Sequence, residues 1–598
     1  MDINNLEKQI KKIEEQIKEL PIGSIGTKII KDKVYYYHRY YQDGKRVEKY
    51  IDNSDVIEFK RLIECRKTLE KEYKDLLNLY KSYNCAEKDE LIFFTNVSIR
   101  KELKEHINSV KKFKQREILK HIEKYIYSDI FDKIFILYGL RRTGKTTMIR
   151  QTIANMNDDD FFKTAFIQIT PNDNLANLNK DLRKLRNLGY KYIFIDEATL
   201  MEDFIEGAAL FSDIYAAMGM KIVLSGTDSL GFILSKSEQL YDRCVLLHTT
   251  FIPYREFENV LGVKGIDEYI RYGGTMSLSG INYNDDFIFN DNISTNDYVD
   301  TAIAKNIQHS LKYYNDGTHF RHLRELYENN ELTNVINRVV EDINHMFTKD
   351  VLIRKFKSND LAISKRNIRR DKENPSTILD DIDQEYFLVN LKKMLDILDI
   401  NDQKVLLNEK HSIEIKEYLN LLDLIFEVDV RTIPVSNDIE KNVIISQPGL
   451  RYSQAKALID SLLLDEKFSN LSLKEKNYFT MRILNEIKGR MMEDIVLLET
   501  KMAYPHCEVF KLKFAIGEFD MVIFDANTSS CELFEIKYGK DVYPSQYQHL
   551  INEEKLKATE FNFGNIKRRC VIYNGHSHLE NDVEYINVGE YLSFKNNK

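Results

Sequence analysis

The chain of 598 residues is too long for a single hydrophobic core, so its length predicts roughly three to five domains. With 30% charged and 43% hydrophobic residues, it has the composition of an ordinary soluble protein. Its six cysteines form no C-x-x-C pair, so neither a zinc ribbon nor a disulfide framework is indicated. Because neither a signal peptide nor an apolar run of membrane-spanning length is visible, we expect a cytoplasmic protein with no membrane partner.

The net charge of −8 is unevenly distributed along the chain. Residues 1–130, a predicted N-terminal helical region, carry about +5, and the remainder carries about −13. This basic region favours a polyanionic partner, although solvated helix faces explain the charge equally well. Within it, residues 3–19 place apolar side chains at helical spacing and predict a short helix.

Residues 27–51 predict a Tyr-rich β-hairpin that turns at Asp43-Gly44. Aromatic and basic side chains interleaved on a small sheet can stack on bases and bind phosphate. The alternative is that the tyrosines simply pack the hairpin against neighbouring helices. Alternation divides the side chains between two faces, one with Tyr35, Tyr37, Arg39 and Tyr41 and the other with Tyr36, His38 and Tyr40.

Residues 131–254 alternate apolar runs with helical segments, which predicts a parallel sheet with helices on both faces. The first apolar run leads into GLRRTGKT, residues 139–146, which fits the phosphate-binding pattern G-x-x-x-x-G-K-[ST]. A helical run follows, so the order of strand, glycine loop and helix is the one that a phosphate-binding loop needs. We therefore expect this region to bind a nucleoside triphosphate. The predicted strands are 133–138, 164–169, 191–195, 221–226 and 244–251.

The residue types of this loop match the chemistry of phosphate binding. Backbone N–H groups surround phosphate oxygens, the Lys145 ammonium neutralises their charge, and the Thr146 hydroxyl ligates Mg²⁺. We assign nucleotide contacts to Gly139, Arg141, Arg142, Thr143, Gly144, Lys145, Thr146 and Thr147.

Acidic and polar residues end the later strands of this region. In YKYIFIDE, we expect Asp196 to hold Mg²⁺ through water and Glu197 to orient or deprotonate the attacking water. In KIVLSGTDSL, Thr227 or Ser225 is a candidate sensor of the nucleotide state, with ordinary turn residues as the alternative. Arg243 is a candidate cation for transition-state charge, in cis or across the interface of a homo-oligomer, with a surface arginine as the alternative.

The motifs GLRRTGKTT, IFIDEA and LSGTDSL, followed by Arg243, FIPYREF and YGG, resemble the archaeal-type ATPases of the AAA+ class over residues 131–275. The resemblance implies ATP and Mg²⁺ as cofactors. It also implies a sheet in which the phosphate-loop strand is central and lies next to the sensor strand.

Residues 276–480 are mostly helical by periodicity, with an Asn- and Asp-rich stretch at 282–300. Residues 413–433 resemble a recognition helix that runs into a wing strand. We therefore predict a winged helix there, with a plain helical bundle as the alternative.

The last predicted domain, residues 481–598, returns to a mixed α/β pattern. Asp520 and, after 14 intervening residues, Glu535 and Lys537 fall on two strands of a predicted hairpin. Alternation places Glu535 and Lys537 on one face, within reach of Asp520. Two carboxylates and a lysine that converge can bind Mg²⁺ or Mn²⁺ and position water against a phosphodiester.

This spacing resembles the D-x(n)-E-x-K core of PD-(D/E)XK nucleases, and archaeal-type AAA+ ATPases often carry a C-terminal domain similar to them. The resemblance implies two further site residues. They are Glu493 on the preceding helix and Gln548, or Gln546, downstream.

Together these patterns predict a multidomain α/β protein with an AAA+-type parallel sheet, a helical or winged-helix region and a PD-(D/E)XK-like domain. We expect an ATP-driven switch or motor that controls a metal-dependent nuclease acting on DNA, with genome defence as the context by analogy. One alternative is a regulatory ATPase with an inactive C-terminal interaction domain. Another is a DNA-binding ATPase of the loader or mobile-element type, without nuclease activity.

Overall fold

A computed structural model describes two compact units, residues 1–94 and 95–598. Among the described residues, none of the helices is both long and apolar enough to cross a bilayer. The described ranges are 3–30, 33–42, 45–88, 91–249, 251–275, 292–307, 311, 320–357, 409–435, 439–464 and 472–593.

The first unit packs two helices with a three-stranded antiparallel sheet. The predicted helix at 3–19 is present, and the predicted hairpin gains a strand that the sequence analysis missed. Gln42 pairs with Lys45, so the chain reverses at the predicted turn, whose residues lie outside the described ranges. The elements are α1 (Ile3–Glu19), β1 (Ser24–Ile30), β2 (Lys33–Gln42), β3 (Lys45–Ile51) and α2 (Val56–Lys88).

The two faces of this small sheet differ in environment. On one face the His38 ring stacks on Tyr40, with centroids 4.7 Å apart, and contacts Phe59 of α2 at 4.9 Å. On this face, therefore, the aromatic side chains pack the hairpin against a neighbouring helix, which was the alternative to nucleic-acid binding. On the other face, Tyr41 is 73% exposed and Tyr50 is 54% exposed.

The second unit begins with a six-stranded sheet in the order β4-β6-β7-β8-β5-β9, in which only the pairing of β4 with β6 is antiparallel. All five predicted strands are present. The implied adjacency of the phosphate-loop strand and the candidate sensor strand is confirmed, because β5 pairs with β8, which lies beside β7. The implied central place of β5 is wrong, since β5 is the second strand from the edge of this sheet. The strands are β4 (Asn96–Ile99), β5 (Ile134–Tyr138), β6 (Thr164–Gln168), β7 (Tyr192–Asp196), β8 (Lys221–Gly226) and β9 (Cys244–His248).

Burial explains why these strands read as continuous apolar runs. Residues 192–196 and 221–226 are buried along their whole length, as expected when helices cover both faces of a parallel sheet. The helices are α3 (Arg100–Asn108), α4 (Leu119–Ile126), α5 (Lys145–Asn155), α6 (Asp158–Phe161), α7 (Leu175–Asn187), α8 (Phe204–Gly207), α9 (Ser229–Glu238), α10 (Tyr254–Leu261) and α11 (Ile266–Tyr272). A 3-10 turn (Ala198–Leu200) and a π turn (Phe211–Ala216) complete this part.

A helical segment follows within the described part of residues 276–421. Its helices are α12 (Asn292–Tyr298), α13 (Arg321–Glu328), α14 (Leu332–Lys357) and α15 (Glu409–Leu421), with a π turn (Val299–Ile303) and a 3-10 turn (Ala304–Asn306) after α12. Most of the Asn- and Asp-rich stretch at 282–300 lies outside the described ranges.

The C-terminal part is built on an eight-stranded mixed sheet in the order β11-β10-β12-β13-β14-β15-β17-β16. Its strands are β10 (Ile425–Ile433), β11 (Glu440–Ile445), β12 (Glu508–Phe514), β13 (Glu518–Asp525), β14 (Ser530–Lys537), β15 (Asn565–Tyr573), β16 (His578–Glu580) and β17 (Val583–Asn587). Its helices are α16 (Pro448–Leu462), α17 (Leu473–Ala503), α18 (Glu553–Phe563) and α19 (Val588–Ser593), with a 3-10 turn (Pro544–Gln546).

The predicted wing strand has a different place in the fold. After α15, β10 and β11 do form a hairpin, but β10 also pairs in parallel with β12. The hairpin is therefore an edge of the C-terminal sheet and not the wing of a separate winged helix. For the same reason the sheet takes in residues 425–433 and 440–445, upstream of the boundary predicted at 481.

Helices α10 and α11 belong to two parts of the fold at once. They follow the last strand of the parallel sheet, yet Phe257 and Ile270 lie in a hydrophobic cluster with Met492 of α17 and Phe534 of β14. Because protein interiors are closely packed, a displacement of these helices must be accommodated by the C-terminal core.

Candidate functional site

The loop between β5 and α5 has the backbone that close approach to phosphate requires. Gly139 and Gly144 have φ of 138° and 88°, and Arg142 also lies in the left-handed region with φ of 63°. The buried Lys145 ammonium donates hydrogen bonds to the carbonyls of Gly139 (2.9 Å) and Leu140 (2.8 Å). Burial lowers the pKa of Lys145 to about 8, against the opposing effects of Glu197 and Asp196.

The other predicted loop residues surround this lysine. Thr143 is buried, and its hydroxyl donates to the Leu140 carbonyl at 2.9 Å. Arg141 and Arg142 are exposed, and the charge of Arg141 contributes to the lowered pKa of Lys145. Thr147 is half-buried in the first turn of α5.

The predicted magnesium ligands lie side by side at the carboxyl edge of the sheet. The Thr146 hydroxyl donates to Asp196 Oδ2 at 2.7 Å, and the Ser225 hydroxyl donates to Asp196 Oδ1. A hydroxyl and a carboxylate in contact are ligands that Mg²⁺ accepts while it keeps several waters. These residues therefore fit the cation that a bound nucleoside triphosphate brings with it.

The candidate base and the candidate sensor are joined by hydrogen bonds. Glu197 has a left-handed backbone, with φ of 57°, and its Oε2 accepts from both the amide (3.2 Å) and the hydroxyl (3.1 Å) of Thr227. The sequence indicated each residue but not their contact, which exists because β8 lies beside β7. Thr227 can thus set the position of the Glu197 carboxylate.

Arg243 lies at the wrong edge of its own sheet for a role in cis. Its carbonyl accepts from the Ile134 amide at 3.0 Å, at the amino end of β5, whereas the phosphate loop follows the carboxyl end. Its half-exposed side chain pairs with Asp213 at 3.1 Å. The prediction of action in cis is therefore wrong, and action across a subunit interface stays a prediction.

A buried arginine, which the sequence did not reveal as a site residue, is hydrogen-bonded to the phosphate loop. Arg116 donates to the Thr143 carbonyl at 2.8 Å and pairs with Glu256 of α10 at 2.6 Å, with side chains 4% and 2% exposed. The sequence shows the basic run KKFKQREILK, but it does not show which cation of that run is buried. Breaking such a pair by removing one partner costs about 3–5 kcal/mol, so the loop and α10 move together.

The three candidate nuclease residues converge as predicted on β13 and β14. The register of the hairpin pairs Met521 with Phe534, which brings Asp520 opposite Glu535. The Lys537 ammonium lies 2.9 Å from Asp520 Oδ2 and 2.6 Å from Glu535 Oε2. Both carboxylates are buried, at 4% and 2% exposure.

The two carboxyl groups differ in electrostatics. Burial would raise the pKa of Asp520, but the Lys537 charge and the Ile536 amide, 2.7 Å away, lower it to about 2. Burial and then the charge of Asp520 raise the pKa of Glu535 well above its usual value, despite Lys537. Glu535 Oε1 is buried without a hydrogen-bond partner among the described residues. Such an orphaned oxygen, beside a second carboxylate, fits a divalent cation.

Glu493, predicted on the preceding helix, lies beside this cluster on α17. Its carboxylate accepts from the buried Lys511 ammonium at 3.1 Å and from Arg490. The charge of Lys511 in turn contributes to the low pKa of Asp520.

Among the residues that the structure describes, the predicted glutamines make no hydrogen bond to the cluster. Gln548 is exposed, and Gln546 stabilises a turn by accepting from the Tyr543 amide at 3.1 Å. His549 and Lys555, which the sequence analysis did not select, lie near the carboxylates instead. Their side chains are 2.8 Å apart, and Lys537 contributes to the lowered pKa of His549, after burial and Lys555.

Comparison with known families agrees with the geometry of the first site. Residues 131–258 match the family model described as an AAA domain. This chain contains an AAA ATPase domain. Such a domain implies ATP as the nucleotide, which is consistent with the phosphate loop on β5 and α5.

Other comparisons are less informative about function. Residues 3–61 match a model described as a domain of unknown function (DUF6788). No curated protein matches the chain significantly. Among solved structures, the Aeropyrum pernix Orc1 protein in complex with DNA matches at 12% identity and a TM-score of 0.20, over 60% of this chain and 94% of that one. This likeness is too loose to support a functional conclusion.

The geometry of the AAA site predicts separable effects on ATP binding and hydrolysis. Lys145→Ala should weaken ATP binding, because the loop loses its ammonium, whereas Glu197→Gln should retain binding and slow hydrolysis by roughly a hundredfold or more. Nucleotide titration and steady-state hydrolysis measure both. Lys133→Ala, at the opposite end of β5, is the control and should change neither. Near-normal turnover in Glu197→Gln would contradict the assignment of the base.

Proposed function

We propose that this protein is an ATP-hydrolysing enzyme whose AAA domain controls a C-terminal Mg²⁺- or Mn²⁺-dependent nuclease that acts on DNA. The observation that carries the nuclease assignment is the buried cluster of Asp520, Glu535 and Lys537, in which one carboxylate oxygen has no hydrogen-bond partner in the part of the chain that the structure describes. A cation between the carboxylates would satisfy that oxygen and offset their repulsion. Genome defence as the biological context stays a prediction.

The residues of the cluster suit hydrolysis of a phosphodiester. A divalent cation held there would polarise the phosphate and lower the pKa of a bound water. Asp520, with its low pKa, is ionised over the whole physiological range and can bind the cation electrostatically. The Lys537 ammonium can neutralise charge that develops on the phosphate oxygens, as a positioned cation does in other phosphoryl transfers.

Two polar connections support control of this cluster by the AAA domain. One runs from the phosphate loop through the Arg116–Glu256 pair to α10, where the Tyr254 amide donates to Glu499 of α17 at 2.6 Å. Glu499 is buried, and burial raises its pKa to about 8. Helix α17 also carries Glu493, so a displacement of α10 acts on the helix beside the carboxylate cluster.

The second connection reaches the catalytic strand itself. Asp267 of α11 accepts from the Tyr538 hydroxyl and from the Lys488 ammonium of α17, the latter at 2.6 Å. Tyr538 directly follows Lys537 at the end of β14. A nucleotide-dependent shift of α11 would therefore move the strand that positions Glu535 and Lys537.

The nuclease assignment predicts metal-dependent cleavage that depends on Asp520. Wild type should cut linear or circular DNA with Mg²⁺ or Mn²⁺, and Asp520→Asn should abolish cleavage while ATP hydrolysis continues. Asp525→Asn, at the half-buried far end of the same strand, is the control. Cleavage is followed on gels with DNA and, in parallel, RNA substrates.

Thermal melts separate a metal site from a structural ion-pair cluster. Glu535 has a raised pKa and must lose its proton to bind metal, so the stabilisation by Mg²⁺ should grow as the pH rises. Asp520→Asn should remove this stabilisation. A melt that Mg²⁺ leaves unchanged, together with no cleavage of DNA or RNA, would favour the regulatory ATPase with an inactive C-terminal domain.

The connection through Asp267 predicts an uncoupled variant. Tyr538→Phe removes the hydroxyl that binds Asp267 but leaves the carboxylate cluster in place, so ATP hydrolysis and ATP-independent cleavage should persist while the effect of ATP on cleavage decreases. Cleavage rates with and without ATP measure this effect. Tyr543→Phe, which removes a hydroxyl from an exposed tyrosine on the following loop, should behave as wild type. Equal ATP effects in both variants would contradict the route through α11.

The exposed face of the N-terminal sheet is the proposed contact with nucleic acid in this unit. Three cations on that face, Lys28, Arg39 and Arg46, pair with the single carboxylate of Glu48 and leave an excess of positive charge. The Lys28 ammonium also lies over the Tyr37 ring, 4.7 Å from its centroid. Exposed Tyr41 and Tyr50 supply flat surfaces on which unpaired bases can stack.

Loss of one of these cations should weaken binding through charge. Arg46→Gln should lower DNA affinity. It should also reduce the slope of the logarithm of the binding constant against the logarithm of salt concentration by roughly one, the value for one lost phosphate contact. Fluorescence titrations with single-stranded and duplex DNA at several salt concentrations measure both quantities. Lys71→Gln, on the exposed side of α2, serves as the control. If affinity and salt slope are unchanged in Arg46→Gln, this face does not contact DNA.

A further inference from the structure

Helices α13 and α15 bring together two imidazoles and a carboxylate far from the phosphate loop and the Asp520 cluster in sequence. The ligand atoms of His322, Glu325 and His411 all lie within 4.8 Å of one another. His322 Nδ1 is 3.3 Å from Glu325 Oε2, and the two imidazole centroids are 5.5 Å apart at an interplanar angle of 81°. We propose that His322, Glu325 and His411 bind a zinc ion or a similar divalent transition metal.

The spacing of the residues on both helices supports this proposal. His322 and Glu325 are separated by three positions on α13, and so are His411 and Glu414 on α15. Residues at that separation lie on the same face of a helix, so each helix presents one His–Glu pair to the other. The Glu414 carboxylate accepts from the Leu323 amide at 3.0 Å and fixes the two helices in this alignment.

The ligands of the cluster lie at different depths. His411 is 6% exposed, His322 is half-buried and Glu325 is exposed. Arg321 lies 3.6 Å from Glu325 Oε1, on the oxygen opposite the one that faces His322.

The donor set selects the class of metal. Two imidazole nitrogens with one carboxylate favour Zn²⁺ and neighbouring transition metals over Mg²⁺, which prefers oxygen ligands only. Three protein ligands leave a fourth tetrahedral position for water.

The position of the cluster shows which segments a bound metal would join. Its ligands come from residues 321–328 and 409–421, on either side of a long stretch of chain, and α15 leads to Asp423. The Asp423 carboxylate contacts His248 at the carboxyl end of β9, next to the phosphate-loop strand. A metal bound between α13 and α15 would thus fix the helical segment that adjoins the AAA sheet.

Metal titration of the full-length chain tests the proposal. The chelator-stripped protein is titrated with Zn²⁺ in excess Mg²⁺, which occupies the oxygen-rich sites, and with Co²⁺ to record the ligand-field spectrum. Wild type should bind one Zn²⁺ per chain and melt at a higher temperature with it. Lys145→Ala should keep this site, so that failure of the metal proposal and failure of the proposed ATPase remain distinguishable.

Surface ligands provide the variants, because replacing buried His411 risks misfolding. Glu325→Gln and His322→Asn should each lower Zn²⁺ affinity by roughly tenfold or more and remove the Zn²⁺-dependent rise in melting temperature. Glu328→Gln, exposed on the same helix, and His506→Gln, an exposed histidine elsewhere, are the matched controls. Equal Zn²⁺ affinity in all four variants, or no Zn²⁺ binding by wild type in excess Mg²⁺, would overturn the proposal.

Discussion

The buried ion pair between Arg116 and Glu256 is the interaction on which the arrangement of this molecule depends. One guanidinium binds a carbonyl of the phosphate loop and pairs with the Glu256 carboxylate of α10. Because an unpaired charge at that depth is costly, the loop, α4 and α10 hold a fixed relation. Since α10 and α11 also lie in the core of the C-terminal sheet, the nucleotide site and the C-terminal cluster share one packed framework.

Both candidate catalytic sites place acids where neighbouring groups already stabilise their charge. In the AAA domain, hydroxyls of Thr146 and Ser225 hold Asp196, and Thr227 holds Glu197. In the C-terminal domain, Lys537 bridges Asp520 and Glu535, and the orphaned oxygen of Glu535 is the position where a cation adds most. The same chemistry of carboxylates serves hydrolysis of a nucleotide in one domain and, in our proposal, of a phosphodiester in the other.

The helical segment from α12 to α15 lies in sequence between the AAA domain and the C-terminal sheet, and a charged contact follows its last helix. His248 stacks on Tyr138 of the phosphate-loop strand and contacts Asp423, two residues before β10 begins. The proposed metal cluster on α13 and α15 lies on the same segment. Helical periodicity predicted that these residues form helices, but which helix faces meet depends on packing between parts of the chain about ninety residues apart.

The sequence alone determined the phosphate loop, the five parallel strands and the β13–β14 hairpin, because local periodicity and motif spacing specify each of them. Only the tertiary structure decided that Arg243 pairs with Asp213, because the two residues lie on separate segments of the chain. The tertiary structure also shows that the hairpin after α15 is an edge of the C-terminal sheet and not a wing. It shows further that His549, and not Gln548, lies near the carboxylates. These outcomes follow from contacts between distant segments, which no local pattern encodes.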